Sequence, residues 1–322
     1  MKEDSSDQPE TMAVKAVIRA SGLSKNYGST RAVENLNLEI PEGQFFGLLG
    51  PNGSGKTTTI HMLTTLAHPT EGQASVAGHD VALEGVAVRR EIGLVFQESA
   101  LDRNLTVGEN LRFAGMLQNL PAEIIRQRSA ELLSLFHLSE KRDQLVATLS
   151  GGMRRALDIT RVLLHRPNIL FLDEPTLGLD VFSRGEIWRF IERLRHEEGI
   201  TVFLTTHYLE EAENCDQVAF LAKGRIIGNG SPKTLVRSLG THIIEVESEC
   251  LDSLVDSLSG HLGPCLQDGD KASFRIKDKH FDFISLQAEL ADQAKDVRWR
   301  RPNLNDVFLW VNDPILRKVF TA

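Results

Sequence analysis

One run of residues in this sequence has the types and spacing that suit phosphate binding. It reads Gly50-Pro51-Asn52-Gly53-Ser54-Gly55-Lys56-Thr57 and fits the pattern G-x-x-x-x-G-K-[ST]. Glycines allow the backbone to wrap closely around phosphates with its N–H groups pointing inward, at the positive end of the following helix. Lys56 would reach the β- and γ-phosphates, and the Thr57 hydroxyl would bind magnesium, with Thr58 beside it. The run therefore predicts a nucleotide site, and a simple glycine turn is the weaker alternative.

The neighbouring segments supply the context that such a loop requires. Phe45-Phe46-Gly47-Leu48-Leu49 predicts a buried strand, and an apolar helix is expected from Lys56 to Ala67. A phosphate loop has to follow a strand and open a helix, because the helix N-terminus supplies part of the anion site. The sequence meets both conditions.

A pair of acids ends a second predicted buried strand. Asp173-Glu174 directly follows Ile169-Leu170-Phe171-Leu172, which places the acids at the carboxyl edge of a parallel sheet, where ligands bind in open α/β folds. Asp173 suits the magnesium shell, and Glu174 could accept a proton from an attacking water. A solvated acidic strand end is the alternative, and the phosphate loop makes it the weaker one.

A second predicted anion site lies further along the chain. Leu149-Ser150-Gly151-Gly152-Met153 precedes a helix expected from Arg154 through His165, with Ser150 as its cap. A serine cap and two glycines at a helix N-terminus favour an anion. One phosphate loop is already present, so this second element suggests a site completed by a neighbouring subunit.

At this point the sequence resembles the ATP-binding cassette (ABC) ATPases, whose signature is a leucine-serine-glycine-glycine run. The resemblance covers about residues 18 to 238, with the motifs in family order. It implies that Tyr27 stacks on adenine, that Gln97 senses the γ-phosphate and borders a membrane partner, that Asp180 couples two sites of a dimer, and that His207 is the switch histidine. The alternatives are a surface aromatic for Tyr27, an ordinary polar residue for Gln97 and a structural histidine for His207.

The resemblance also implies a mechanism and partners. ATP and Mg²⁺ are the expected cofactors, with Thr57, Gln97 and Asp173 around the metal. Glu174 would polarise water, Lys56 would hold charge and His207 would position the γ-phosphate. Two copies would face each other head to tail, so that Ser150, Gly151 and Gly152 of one close on the nucleotide of the other. Separate permease subunits would seat the pair on the cytoplasmic side of the inner membrane, as a peripheral component.

Two features point to a subgroup. Met153 replaces the usual glutamine of the signature and is followed by Arg154-Arg155, which is similar to the ABC-2-type ATPases that export drugs and polysaccharides. Residues 302–309 look like the closing motif of daunorubicin-resistance-type ATPases, although a bland amphipathic helix is the alternative. We therefore expect an exporter of a drug, lipid or polysaccharide-like substrate. An importer ATPase, or a soluble ABC ATPase acting on nucleic acid or ribosomes, is the competing hypothesis.

The elements that position these residues predict an α/β fold. Apolar strands separated by helices indicate a parallel sheet covered on both faces. We expect an ABC-type P-loop NTPase core over residues 14–240, with an antiparallel β region and a helical subdomain at about 98–160. Residues 241–322 alternate strand and helix patterns and predict a small accessory α/β domain with its own core, completed by a last helix near Leu304 to Val311. Residues 1–13 read as a loose tail.

Composition limits the remaining classes. The 322 residues carry a formal net charge of −8, which argues against binding nucleic acid through a basic surface. No apolar run is long enough to span a membrane, and the polar N-terminus does not resemble a secretory signal. Three scattered cysteines, at 215, 250 and 265, predict reduced thiols and neither a disulfide framework nor a zinc site.

Overall fold

Three β-sheets organise the chain in a computed structural model that describes residues 15–313 and 316–317. The strands are β1 Ala16–Tyr27, β2 Thr30–Pro41, β3 Phe45–Leu49, β4 Glu71–Val76, β5 His79–Asp80, β6 Ile92–Val95, β7 Ile169–Asp173, β8 Thr201–Thr206, β9 Gln217–Ala222, β10 Arg225–Gly230, β11 His242–Glu247, β12 Cys265–Asp268, β13 Lys271–Ile276 and β14 Asp296–Arg300. The helices are α1 Lys56–Leu63, α2 Gly85–Glu91, α3 Val107–Leu117, α4 Ala122–Leu135, α5 Gly151–Leu163, α6 Val181–Glu198, α7 Leu209–Ala212, α8 Pro232–Leu239, α9 Leu251–Leu262, α10 Phe283–Glu289 and α11 Leu304–Asn312.

The central sheet has six strands in the order β10-β9-β3-β8-β7-β6. Its neighbouring strands are parallel except for the β9–β10 pair, which is antiparallel. Every residue of β3, β7 and β8 is buried. Alternate residues of β3 enter two different cores, Phe45 and Leu49 on one face and Phe46 and Leu48 on the other. Burial on both faces explains why these strands read as continuous apolar runs.

A second sheet confirms the predicted antiparallel region. It has the order β2-β1-β4-β5, and its strand pairs are antiparallel. Its inward residues, among them Ile18, Leu23 and Val76, share a core with Ile60 and Leu63 of α1. This packing fixes the helix that carries the phosphate loop against the N-terminal sheet.

Helices α3, α4 and α5 follow β6 and precede β7 along the chain, and they pack against one another. Helix α3 begins with a capping box, in which Thr106 accepts from Glu109 N and Glu109 accepts from Thr106 N. This is the segment for which the sequence predicted a helical subdomain. In the part of the chain that the structure describes, no helix is long and apolar enough to cross a membrane.

Two predicted helix boundaries differ from those observed. Helix α1 ends at Leu63, before the predicted Ala67, and the next turn contains Thr65 at a φ of 67°. Helix α5 begins at Gly151 and ends at Leu163, whereas Arg154 through His165 was expected. Arg166 follows with a φ of 56° just before Pro167. Left-handed residues do not continue a helix, so both helices end earlier than their apolar patterns predict.

The C-terminal strands and helices follow the order β11-α9-β12-β13-α10-β14. Their sheet is antiparallel with the order β12-β13-β11-β14, which is the split βαβ arrangement. Ile244, Phe274 and Leu254 belong to a core of this module alone. The predicted small α/β module with its own core is thus present, and the short edge strand β12 is the element that the sequence reading missed.

The last helix differs from its prediction. Helix α11 was expected to complete the C-terminal module, but Val307, Trp310 and Val311 belong to the core of the central sheet. The helix contacts α7, α8 and β10, and Phe308 packs on Phe220 with ring centroids 5.6 Å apart. The apolar face of α11 covers one side of that core. The pattern of a single helix shows that it has an apolar face and does not show which core the face covers. Phe308 and Trp310 therefore pack on the core of the central sheet.

Candidate active site

The backbone of the glycine-rich loop is closely packed between β3 and α1. Gly55 has a φ of 109°, and a Cβ there would lie 2.5 Å from the Ala32 carbonyl oxygen. A Cβ on Gly50 would lie 2.2 Å from the Leu221 carbonyl oxygen. Helix α1 begins with no side-chain cap and no acid in its first turn. Its first N–H groups therefore remain available to an anion, as the motif predicts.

Lys56 lies almost fully buried beneath this loop. Its Nζ donates to the carbonyl oxygens of Gly50 at 2.9 Å and Pro51 at 3.2 Å. The same Nζ lies 3.2 Å from Oε1 of Glu174, whose side chain is also buried. A buried cation needs such partners, so the loop and the acid after β7 hold the lysine at the floor of the site.

Glu174 connects the lysine to the histidine after β8. Its Oε2 lies 3.2 Å from Nδ1 of His207. The residue adopts a left-handed backbone with a φ of 45°, which is uncommon for a side chain of this size. Its N–H donates to the carbonyl oxygen of Thr205 at 3.1 Å. Strained backbone of this kind occurs at functional sites, where the surrounding contacts hold it in place.

Asp173 is fixed by the neighbouring strand. Asp173 and Thr205 are register partners in β7 and β8, and the Thr205 hydroxyl donates to Oδ1 of Asp173. Glu211, at the start of α7, accepts hydrogen bonds from the hydroxyls of Thr176 and, at 2.6 Å, Thr206. Thr176 lies two residues after Glu174, in the acidic loop, and Thr206 directly precedes His207, in the histidine loop. These buried hydroxyls therefore hold the two loops at a fixed separation.

The structure brings half of the predicted site residues into the lining of one cleft of about 360 Å³. Ala32 and Leu177, which the sequence reading did not select, complete its wall. The predicted residues that line it are Asn52, Gly53, Gly55, Lys56, Thr57, Thr58, Gln97, Glu174 and His207. Gly50, Pro51, Ser54 and Asp173 do not line it. Such a concave site with a few convergent polar groups is the usual form of a ligand pocket.

Tyr27 lies outside the lining of this cleft. Its side chain is half exposed beside Thr30, in the hairpin between β1 and β2 whose second strand supplies Ala32 to the cleft. Lys25 Nζ lies 5.1 Å from the centre of its ring. An exposed aromatic ring can stack on a base, and that role of Tyr27 stays a prediction.

The signature residues do not line this cleft either. The Ser150 hydroxyl caps α5 and accepts from Met153 N at 3.2 Å. A Cβ on Gly152 would lie 2.5 Å from the Ser183 hydroxyl oxygen, so this glycine allows α5 to approach α6 closely. Gly151 lies between them in the first turn of α5. The serine cap was predicted correctly, and the nucleotide contact of these residues stays a prediction.

Asp180 caps the neighbouring helix α6. Its carboxylate accepts from Ser183 N at 2.9 Å and from the Ser183 hydroxyl at 2.6 Å. These hydrogen bonds lower the pKa of Asp180 below its ordinary value, because they stabilise the charged form. The predicted coupling residue therefore lies on the same surface as the signature, through the contact between Gly152 and Ser183.

Three positions around the cleft were missed by the sequence reading: Arg155, Thr205 and Glu211. All three are buried polar or charged residues that anchor the acidic or histidine loops. An arginine at a core-facing position of an apolar helix was the signal available for Arg155. Two threonines ending the apolar strand β8 were the signal for Thr205, because such a strand otherwise carries only hydrocarbon side chains.

The candidate magnesium ligands offer a hydroxyl, an amide and a carboxylate, from Thr57, Gln97 and Asp173. Among the described residues, no group of three His, Cys, Asp or Glu side chains is arranged to hold a metal ion alone. Magnesium prefers hard oxygen donors and is commonly held by one or two carboxylates together with substrate phosphates. The donor set therefore fits a magnesium ion that arrives with a nucleotide.

Comparisons with known proteins match this geometry. Residues 33–177 match the family described as ABC transporter. The chain is 42% identical over 302 residues to the daunorubicin/doxorubicin resistance ATP-binding protein DrrA of Streptomyces peucetius, covering 91% of each protein. It is 38% identical to the Nod factor export ATP-binding protein I of Ralstonia nicotianae, covering 91% of this chain and 92% of that one.

A solved structure with a similar fold is a dimeric ATP-binding cassette in a post-hydrolysis state, bound to ADP and phosphate. It is 29% identical, has a TM-score of 0.61 and covers 66% of this chain and 98% of its own. The fold, the family match and the identity over nine tenths of the length agree. The chain belongs to the ATP-binding subunits of ABC transporters, as an ATP-hydrolysing subunit of the exporter type.

Proposed function

We propose that this chain hydrolyses ATP in the cleft between α1, Glu174 and His207, and that two copies drive separate permease subunits. The observation that carries the proposal is the buried contact chain in which Glu174 lies 3.2 Å from both Lys56 Nζ and His207 Nδ1. A cation, a carboxylate and an imidazole around a phosphate loop are the groups that phosphoryl transfer to water requires.

In this mechanism the residues of the chain act mainly by position and charge. Lys56 exchanges its two carbonyl partners for phosphate oxygens, while the free N–H groups of α1 bind the same phosphates. Glu174 orients the attacking water and accepts its proton. His207, which lies at the other carboxylate oxygen of Glu174 from Lys56, contacts the γ-phosphate. Magnesium, held by Thr57, Gln97 and Asp173, would neutralise charge on the phosphates when bound.

The partner in catalysis is a second copy of the chain, arranged head to tail. Ser150, Gly151 and Gly152 carry an anion-binding helix N-terminus that does not line the cleft of their own chain. Next to them, Val181 and Phe182 leave 85% and 75% of their surface exposed. A second copy placed over this surface covers the apolar side chains. The signature of the first copy then lies against the nucleotide that the second copy binds.

The permease contact is assigned to the groove of about 290 Å³ between the central sheet and α3. Phe96, Phe113 and Leu117 are exposed at its rim, and Arg89 and Arg161 line it. No acidic side chain belongs to its lining among the described residues. An amphipathic permease segment with an acidic side would match both properties. Such a contact would seat the chain on the cytoplasmic face of the membrane as a peripheral subunit.

The transported substrate is proposed to be a drug, a lipid or a polysaccharide-like molecule. Support comes from the relatives, one of which is named for daunorubicin and doxorubicin resistance and another for Nod factor export. The first name describes drug resistance and the second describes export, and both relatives align along nine tenths of the chain. The residues that contact cargo would belong to the permease.

The dimer is tested with Glu174→Gln, which keeps the volume of the side chain and removes the base. Light scattering with ATP and magnesium should then show dimers that persist, because nucleotide binds and is not consumed. Ser150→Ala in the same background is the matched variant, and it should weaken the dimer by removing the signature cap. Monomers in both variants at saturating ATP would contradict the head-to-tail arrangement.

A further inference from the structure

Arg155 is a buried arginine on the second turn of α5, and its side chain contacts two of the loops that carry predicted catalytic residues, those of Gln97 and Glu174. Its Nε donates to the carbonyl oxygen of Pro175 at 2.5 Å, and its Nη1 donates to that of Phe96 at 2.5 Å. Its Nη2 donates to the carbonyl oxygens of Asp173 at 3.1 Å and Glu174 at 3.3 Å. A single guanidinium thus joins four backbone carbonyls.

These partners are unusual for a buried cation. Arg155 is 7% exposed, and among the described residues it makes no salt bridge within 4.0 Å. Burial lowers the pKa of the guanidinium, while Asp158 and Asp173 raise it at longer range. Burying a charge on carbonyl dipoles alone costs more than placing an apolar residue there. Stability therefore does not account for an arginine at this position, and the geometry of the two loops does.

The first of these loops contains the strained residue Glu174. Its φ of 45° leaves the backbone without the support of regular structure. Arg155 donates to the carbonyl oxygens of the two peptide units that flank the Glu174 Cα, those of Asp173 and Glu174. The N–H of Glu174 donates to the carbonyl oxygen of Thr205. Together these contacts fix the direction in which the carboxylate leaves the backbone.

The second loop contains Gln97, which lines the cleft one residue after Phe96. The planar guanidinium holds its donors at fixed angles, so Phe96 and Pro175 cannot move apart while both are bound. Arg155 itself lies five residues after the Ser150 cap, on the same helix. The signature helix is thereby tied to the acid and the amide of its own chain's cleft.

We propose that Arg155 is a positioning residue for hydrolysis, holding the backbones of Glu174 and Gln97 at the separation that the attacking water requires. This inference rests on the proposed function, since it assigns Glu174 and Gln97 to the reaction. Arg155 touches neither nucleotide nor water, and it acts through the two loops. Its loss should lower kcat and leave ATP binding in place.

The test compares Arg155→Met and Arg155→Lys with the wild-type full-length chain. Methionine keeps an unbranched side chain and removes all donors, whereas lysine keeps the charge but has one donor nitrogen in place of the three that Arg155 uses. Arg128→Met is the control, because Arg128 is half-buried in α4 and donates to the Leu163 carbonyl oxygen at 3.3 Å, away from the cleft. Steady-state ATPase rates, equilibrium binding of a fluorescent ATP analogue and melting temperatures are measured for each.

We expect Arg155→Met to lower kcat by at least about tenfold, toward the roughly 100-fold cost of a 1 Å misplacement, with ATP affinity within about threefold of wild type. Arg155→Lys should fall between, and Arg128→Met should keep its kcat. A kcat within about threefold of wild type in Arg155→Met, or equal losses of kcat and ATP affinity, would overturn the proposal. If Arg155→Met does not fold, Arg155→Lys decides by the same criteria. Glu174→Gln is assayed alongside, because turnover in that variant would refute the proposed function independently of Arg155.

Discussion

The nucleotide cleft and the C-terminal region bury their side chains for different purposes. The cleft buries Lys56, Asp173 and Glu174 and keeps Glu174 in a left-handed backbone. The C-terminal region buries Phe274 in its own core and Trp310 in the core of the central sheet. Buried charge and strain lower stability, whereas apolar burial adds to it at about 25 cal/mol per Å².

The comparison teaches that the two regions should respond to mutation in opposite ways. Substitutions in the cleft should change ATP binding or turnover more than they change the free energy of unfolding, because functional sites are selected for activity at a cost in stability. Substitutions at the contact between α11 and the central sheet should reduce stability and leave the chemistry of the folded molecules intact. The following predictions test this division.

Lys56→Ala should produce the largest effect, on ATP binding. Each charge-assisted contact to a phosphate contributes about 1.5–3 kcal/mol, so losing two should weaken ATP affinity by about 3–6 kcal/mol. Equilibrium binding of a fluorescent ATP analogue measures this change, and near-ultraviolet circular dichroism checks the fold. Affinity equal to wild type would refute the phosphate-loop assignment.

Trp310→Ala should instead lower the free energy of unfolding. Trp310 is 1% exposed, and Arg275 lies 5.2 Å from the centre of its ring. Truncating a buried tryptophan typically costs about 3–5 kcal/mol. Trp299→Ala is the control, because Trp299 is 52% exposed and should cost much less. Urea denaturation measures both, and equal costs would mean that α11 does not contribute to the cassette core.

Met153→Gln should change the ATPase rate only slightly. Met153 packs partly against the core between α5 and α6, and only its backbone N–H contacts Ser150. Glutamine keeps that N–H and the signature glycines. We expect a rate within about tenfold of wild type, which is below 1.4 kcal/mol of barrier. A larger loss would identify the methionine side chain as a specific contact for the partner copy.

The smallest predicted effect is a pH dependence of cassette stability through His165. Its Nε2 donates to the Ile92 carbonyl oxygen at 3.0 Å, and burial lowers its pKa below the ordinary value of 6.5. The unfolded chain therefore takes up a proton that the folded chain does not, so stability falls as the pH drops below about 6.5. Stability should therefore be lower at pH 5.5 than at pH 7.5.

Urea midpoints across this pH range, compared with those of His165→Gln, measure the effect. Glutamine can donate to the same carbonyl and does not titrate, so the variant should lose this part of the pH dependence. Identical pH profiles in the two proteins would show that His165 does not contribute.

The cleft was largely predictable from the sequence because its residues lie in short motifs. The spacing from Gly50 to Thr57 predicts a loop between a strand and a helix. Asp173 and Glu174 lie at the carboxyl end of β7, at the same edge of the parallel sheet as this loop. Local spacing and the parallel sheet bring these residues together with no knowledge of distant packing. His207 was selected by resemblance, and its 3.2 Å contact with Glu174 is new geometric information.

The contacts that hold the cleft together were not predictable in the same way. Arg155 donates to carbonyls of residues that are 18 to 59 positions away along the chain. Helix α11 has an apolar face that could have covered either its own module or the cassette. In both cases the partner is chosen by the tertiary fold, because a sequence pattern specifies which face is apolar and not what lies opposite.

The most direct test of the central claim is the ATP turnover of purified full-length Glu174→Gln beside its ATP affinity. Lys56 keeps the carbonyls of Gly50 and Pro51 as partners in this variant, so the loop should remain folded. A general base contributes about 10²–10⁴-fold to rate, so turnover should fall by at least about 100-fold while ATP affinity stays within about threefold. Turnover near the wild-type rate would contradict the account, because hydrolysis would then not depend on the carboxylate at the centre of the cleft.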